Sequence, residues 1–227
     1  MNQTVLDNPA WEALNSVHAD FAEGTNEAKR YRQEILPFTA CKDGEKGNMI
    51  SLDGFVAAGE SFYIIGDLSP VLPGGWKVEY ELPCAQMVLK EQPAATENSV
   101  VVEPLGDGNA NEMLDLVNTV QPGYYNTGTR LLGSYFGIRQ DGRLVAMAGE
   151  RMRLNGFSEL SAICTLPGYT GRGYAQQLIE QLCHLHSKNN IVSFLHVALT
   201  NQRAISLYKH MGFYQRRTII FRKIKKG

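Results

Sequence analysis

No apolar run reaches the roughly 18 residues that a membrane-spanning helix needs, and the first residues, Met-Asn-Gln-Thr-Val-Leu-Asp-Asn-Pro, carry neither a basic start nor an apolar stretch. Both absences argue against a span and a leader, so the expected localisation is cytoplasmic. Charge of one sign is lacking too. With 22 basic and 23 acidic residues the net charge is −1, which leaves no basic footprint for nucleic acid or an anionic membrane. The expected partner is a small molecule. Cysteine is sparse: Cys41, Cys84, Cys164 and Cys183 form no Cys-x-x-Cys pair and have no histidine at zinc spacing. They read as reduced core thiols, with no metal expected. Cys164, next to a glycine loop, is the one candidate nucleophile, but a thiol on a buried strand is usually inert.

That loop, in Ser161-Ala-Ile-Cys-Thr-Leu-Pro-Gly-Tyr-Thr-Gly-Arg-Gly-Tyr-Ala175, is also informative through what it lacks. Gly171 and Gly173 can take positive φ and turn bare backbone N–H groups toward an anion at the start of the following helix, as a pyrophosphate requires. A dinucleotide fingerprint needs a third glycine where Gln176 stands. A P-loop needs Gly-Lys-Ser/Thr, and Tyr174 and Ala175 follow Gly173 instead.

What remains, Thr170-Gly171-Arg172-Gly173-Tyr174-Ala175, resembles the coenzyme A loop of the GNAT superfamily of N-acetyltransferases, Arg/Gln-x-x-Gly-x-Gly/Ala, with Thr170 where the family usually has a longer polar side chain. Residues 192–213 resemble the second GNAT motif, a strand followed by Asn201-x-x-Ala204-x-x-x-Tyr208 and then Gly212-Phe213. Asn8-Pro-Ala-Trp11 and Ala146-Met-Ala-Gly-Glu-Arg-Met-Arg153 add a resemblance to the group related to glycine N-acyltransferases. The resemblance implies acetyl transfer from acetyl-CoA to a primary amine by direct attack. It implies that backbone groups of Ile163, Cys164 and Thr165 pair with pantetheine, that Thr170 to Ala175 hold the pyrophosphate, and that Asn201 steadies the arm. The implied proton carriers are Tyr208 as acid and Glu159 as general base, with Glu150 in reserve. A coenzyme A-binding module without catalysis, and an acyltransferase for longer or aromatic acyl chains, stay open beside it, as does a homodimer.

Taken in order, Asn8-Pro9 starts a helix whose apolar positions run to Phe21, with Gly24 ending it. Glu27 to Glu34 reads as a solvated helix, Lys42 to Gly47 as a turn, Ser61 to Ile65 as a strand and Ser69 to Gly75 as a break. Trp76 to Glu81 alternates before apolar Ala85 to Leu89. A linker over 91–98 places a boundary near residue 97, between an N-terminal mixed α/β domain (1–97) that shapes the acceptor site and the acetyltransferase domain (98–227). Beyond it come a strand at Val100 to Val102, a helix at Asn111 to Val120, and the tyrosine pair Tyr124-Tyr125, which the resemblance places at the acceptor pocket. Asp141-Gly142 and Asn155-Gly156 then turn three antiparallel strands. His184 and His186 read as surface or dipole partners, and the basic end of Phe213 to Lys226 as an edge strand guarded by lysines. The expected fold class is α/β of the α+β type: a GNAT fold, with a mixed, mostly antiparallel sheet flanked by helices.

Overall fold

The computed structural model describes residues 2–42, 49–66, 71–95 and 100–227. The expected turn at Lys42 to Gly47 and part of the break at Ser69 to Gly75 lie outside the described residues, as does the expected boundary near residue 97. Among the described residues, eleven strands join in one sheet: β1 (Ala22–Gly24), β2 (Ala28–Tyr31), β3 (Phe38–Cys41), β4 (Ser61–Ile65), β5 (Trp76–Leu89), β6 (Glu103–Leu105), β7 (Tyr135–Gln140), β8 (Arg143–Leu154), β9 (Phe157–Thr165), β10 (Val192–Ala198) and β11 (Phe213–Lys226). Their order across the sheet is β1-β2-β3-β4-β11-β5-β10-β9-β8-β7-β6. Among the described residues, only β3 with β4 and β9 with β10 run parallel. The helices described, α1 (Pro9–Leu14), α2 (Ala110–Val120), α3 (Tyr174–Lys188) and α4 (Gln202–His210), cover the faces.

The sheet's order follows from turn chemistry and burial. Asp141 (φ 50°) and Gly142 (φ 77°) make the two-residue turn joining β7 to β8, and Gly156 (φ 79°) turns β8 into β9. α3 buries Leu178, Ile179, Leu182 and Cys183 at helical spacing, and with α2 it packs on one face of β7 to β9. The opposite face carries a second core in which Leu6, Leu14, Tyr31 and Phe38 meet Phe157, Phe194 and Phe221. Residues from both ends of the chain therefore share one core. β5 lies between β10 and β11, so the single sheet also runs through both halves.

Several local expectations are corrected. The first helix stops at Leu14, and a 3-10 turn at Ala19–Phe21 leads into β1, because His18 is buried against Tyr31 and the Leu132 carbonyl instead of continuing a helical stripe. The stretch read as a solvated helix contains β2. Arg30 is buried there, paired with Glu60 and donating to the Phe55 carbonyl at 2.7 Å, and strand pairing on both sides overrides the helical charge pattern. The strand expected at Val100 to Val102 forms three residues later, as β6. β11 is an interior strand, not an edge: Lys223 pairs with Glu79 at 2.9 Å and Lys226 with Asp53 at 3.0 Å. His186 is buried, its ring nitrogens bonded to Ser193 Oγ (2.8 Å) and Glu150 Oε1 (3.0 Å), whereas His184 is exposed.

Candidate active site

The glycine loop forms as its residues require. Gly171 (φ 80°) and Gly173 (φ 76°) take the left-handed conformation, and Gly173 is the N-terminal cap of α3. A Cβ on Gly171 would meet nothing within 4 Å, and one on Gly173 would come no nearer than 3.5 Å to Gln176 Oε1, so the backbone here borders open space. Thr165, Thr170, Gly171, Gly173, Tyr174 and Ala175 line the resulting groove. Beside it the Gln177 Nε2 donor is buried without a partner. A helix start with exposed N–H groups and an unpaired donor fits an anionic phosphate. Two expected residues lie outside the groove's wall. Cys164 is buried in the core, its thiol pushed up to about 12 by burial, and the Arg172 guanidinium stacks 5.0 Å from the Tyr169 ring.

The groove continues along a gap in the sheet. β10 pairs with β9 only where Val192 to Phe194 meet Phe157 to Glu159, and then follows β5. From Leu160 to Thr165, β9 is bonded to β8 on one side, and among the described residues no strand pairs with its other edge. Ala162 has φ 49° where the β8–β9 register shifts, a bulge in a conformation costly for a residue with a Cβ. This places free backbone groups of β9, Ile163 and Thr165 among them, along the groove, where an extended amide chain could pair in the manner of an added strand.

On the other side of the bulge lies a second cavity, of about 230 Å³. Its walls include Leu82 and Cys84 of β5, Tyr124 and Tyr125 after α2, Arg151 of β8, and Phe221 of β11. The tyrosine pair expected at an acceptor pocket thus borders this cavity. The cavity and the groove share Ile163, Asn201, Ala204 and Tyr208. Asn201 caps α4, its Oδ1 accepting from the Ala204 N–H at 3.1 Å, which fixes the helix so that Tyr208, two turns on, reaches the junction. Burial pushes the Tyr208 hydroxyl up to about 12, so it stays protonated at neutral pH.

Neither carboxylate expected as a base borders the cavity. Glu159 is fully buried. Arg151 Nε donates to its Oε2 at 2.9 Å, Arg151 Nη2 to its Oε1 at 2.5 Å, and His196 Nδ1 to Oε1 at 2.7 Å. Burial alone would raise its pKa, but the Arg151 charge and these bonds outweigh burial and hold it at about 2. Both its oxygens are thus occupied, and Glu159 is not among the residues that line the cavity. Glu150 is buried on the α3 side, accepting from His186, Ser158 Oγ (2.5 Å) and the Ser134 N–H (2.6 Å). There too, against the effect of burial, these bonds keep it near 2.

Sequence reasoning did not single out Arg151, His196 or Gln86 for the site. Gln86 Oε1 accepts from Arg216 and its Nε2 donates to the Leu6 carbonyl, each at 2.7 Å, which fixes its amide. Its Nε2 therefore donates to His196 Nε2 at 3.1 Å, leaving the His196 proton on Nδ1 facing Glu159. A buried Arg–Glu pair on neighbouring strands leaves only a faint trace in sequence, two opposite charges on strands that also carry other polar residues.

A family model described as FR47-like protein matches residues 135–221, which contain β7 to β10, the glycine loop, and α4 with Tyr208. Among solved structures, a GNAT-family protein from Novosphingobium aromaticivorans DSM 12444 superposes with a TM-score of 0.89 at 29% identity, covering 98% of each chain. A GCN5-related N-acetyltransferase from Kribbella flavida shares the fold at 13% identity (TM-score 0.63, covering 98% of this chain and 95% of that one). So does a GCN5-related N-acetyltransferase-like protein from Streptococcus suis 89/1591 at 14% identity (TM-score 0.60, 97% and 96%). No curated protein sequence matches the chain, and none of these findings singles out the glycine N-acyltransferase-related group. The chain has the GNAT fold, and the FR47-like match together with the Novosphingobium structure supports an acyltransferase of the GNAT superfamily.

Proposed function

We propose that the protein transfers an acetyl group from acetyl-CoA to a primary amine by direct attack. The observation that carries this reading is the meeting of groove and cavity at Asn201, Ala204 and Tyr208. The Gly171 to Ala175 backbone holds the pyrophosphate, the free edge of β9 aligns the pantetheine arm, and the thioester lies at the bulge by Ala162 and Ile163. The amine enters from the cavity as the free base, its proton lost to water, since among the described residues no aspartate or glutamate lines that cavity. Its lone pair forms the new C–N bond, the C–S bond breaks, the leaving thiolate takes the Tyr208 hydroxyl proton, and the amide nitrogen releases its extra proton to water. Tyr208 is then reprotonated from solvent. The chain's own contribution is alignment and one proton.

Gly173→Asp tests the cofactor half. It puts a side chain and a negative charge into the cradle at positive φ, and calorimetry should show acetyl-CoA affinity falling about 100-fold or more, with folding checked by thermal melting. Unchanged affinity in a folded variant would overturn the cofactor assignment. Amine-dependent release of the thiol, absent without an amine, is the result expected for the transfer half.

A further inference from the structure

We infer that Arg203, in the first turn of α4, is a donor-discriminating residue: it pairs with the 3′-phosphate of coenzyme A, a group apart from the pyrophosphate held at the start of α3. This rests on the acetyl-CoA reading for the ligand and on the groove's own electrostatics for the second anion. The groove is walled by the glycine loop and by the start of α4, from which Asn201, Arg203, Ala204 and Tyr208 line it. Among the described residues lining it, Arg203 is the one with a charged side chain, and no aspartate or glutamate offsets it. Arg203 is exposed, and among the described residues no hydrogen bond or ion pair holds its guanidinium.

The placement runs against helix electrostatics. Unpaired backbone N–H groups make the start of a helix partly positive, so the first turn favours Asp and Glu and disfavours cations. Neither α3 nor α4 has an acidic residue in its first turn, and both helix starts border the one groove. Arg203 adds a full charge at the start of α4, and Arg172 stands immediately before the cap of α3, stacked on the Tyr169 ring that lines the groove. Two helix ends of about half a charge each, with these two arginines, bring about three positive charges to the groove, against the two negative charges of a pyrophosphate diester. At the α3 end Gln177 is 6% exposed, and its Nε2 lies unpartnered 3.9 Å from where a Cβ on Gly173 would stand. The groove is thus rich in donors and positive charge and short of anions, by more than a pyrophosphate supplies. The glycine-loop backbone takes the pyrophosphate in the proposed reading, which leaves Arg203, on the other wall, for a further anion. A phosphate monoester carries close to two charges at neutral pH and three acceptor oxygens, which suits an exposed guanidinium with a planar fork of donors. A pantetheine arm carried on a protein lacks that phosphate, so Arg203 favours the free coenzyme as donor over a carrier-bound one.

The test is calorimetry with coenzyme A and dephospho-coenzyme A, which differ by the 3′-phosphate alone, on wild type, Arg203→Ala and Arg203→Lys. Wild type should bind coenzyme A about 5- to 10-fold more tightly than dephospho-coenzyme A at low ionic strength, and that ratio should shrink toward one as salt rises. Arg203→Ala should weaken coenzyme A by about the same factor, leave dephospho-coenzyme A within about 2-fold, and so erase the preference. Arg203→Lys should keep part of it, because the charge stays and the planar fork is lost. The ratio of the two affinities is the readout, because a folding defect weakens both ligands alike. Equal affinity of wild type for the two nucleotides, or an Arg203→Ala variant that loses both alike, would overturn this inference and leave acetyl transfer standing. Binding of neither nucleotide to wild type would overturn the acetyl-CoA reading itself, and this inference with it.

Discussion

Tyr208 carries the proton chemistry of the proposed reaction. It is 8% exposed, stands edge-on to Phe213 at 6.1 Å, and borders both the groove and the cavity. A positioned acid contributes about 10²–10⁴-fold, so Tyr208→Phe should lower kcat by about 10²-fold or more with acetyl-CoA affinity nearly constant. Because burial raises its pKa to about 12, the hydroxyl keeps its proton and stays neutral through the neutral pH range. In the wild type kcat/KM should then rise with pH as the free-base fraction of the amine grows. Full kcat in Tyr208→Phe at every pH would assign thiolate protonation to water. The turn at Gly171 and Gly173, the cap at Asn201 and the place of Tyr208 on α4 are legible in the sequence because each is set by local geometry, a positive φ or a helical spacing. The buried pairing of Glu159 is not legible there, because its partners are brought by strand pairing: Arg151 lies on the neighbouring strand and His196 on β10, and no spacing along the chain shows that both close on one carboxylate.

At the scale of elements, the open edge of β9 depends on the strands beside it staying fixed while β10 turns away. Glu159 of β9 joins Arg151 of β8 and His196 of β10 beside the last β9–β10 backbone pair, Phe194 with Glu159. Its folded pKa, about 2, lies below the ordinary value of 4.5, so its contribution to stability is present above about pH 4.5 and fades as pH falls toward 2. Glu159→Gln strands the Arg151 charge in the core, and removing one partner of a buried pair costs about 3–5 kcal/mol. Chemical denaturation should show that loss at pH 7 and a smaller stability difference from wild type in acid. A variant as stable as wild type that had lost only activity would instead make Glu159 a reacting group. Strand and helix assignments were most legible where turns punctuate them, as at Asp141-Gly142. They failed at β2, where Arg30 and its neighbours carry a surface pattern that Glu60 and two flanking strands draw inside.

For the whole molecule, the N-terminal half supplies part of the site. β5 brings Leu82 and Cys84 to the cavity wall, and Phe38 of β3 stacks on Arg151. We propose that residues 1–97 shape the acceptor site in this way and cannot be spared. A chain beginning at residue 98 would lack the strand between β10 and β11 and the apolar cover of Leu6, Leu14 and Phe38. It should be insoluble or unfold without a cooperative transition. A soluble, cooperatively melting and fully active product would refute this role.

The placement of β11 has a further consequence, for the time course of synthesis. It is the last of the described strands, yet it is the partner onto which β4 and β5 close, with Trp76 opposite Lys226 and Ser61 opposite Lys225. Chain leaving a ribosome from its N-terminus carries β4 and β5 early, with Phe62, Ile64 and Met87 bare, and gains the strand that joins them only after β10 and α4 have emerged. Pairings so distant along the chain carry the loop-closure entropy that slows folding and keeps unpaired strand edges open to one another. An interior strand of the sheet is thus made after all the other described strands, and the strands on either side of it stay unjoined until it arrives.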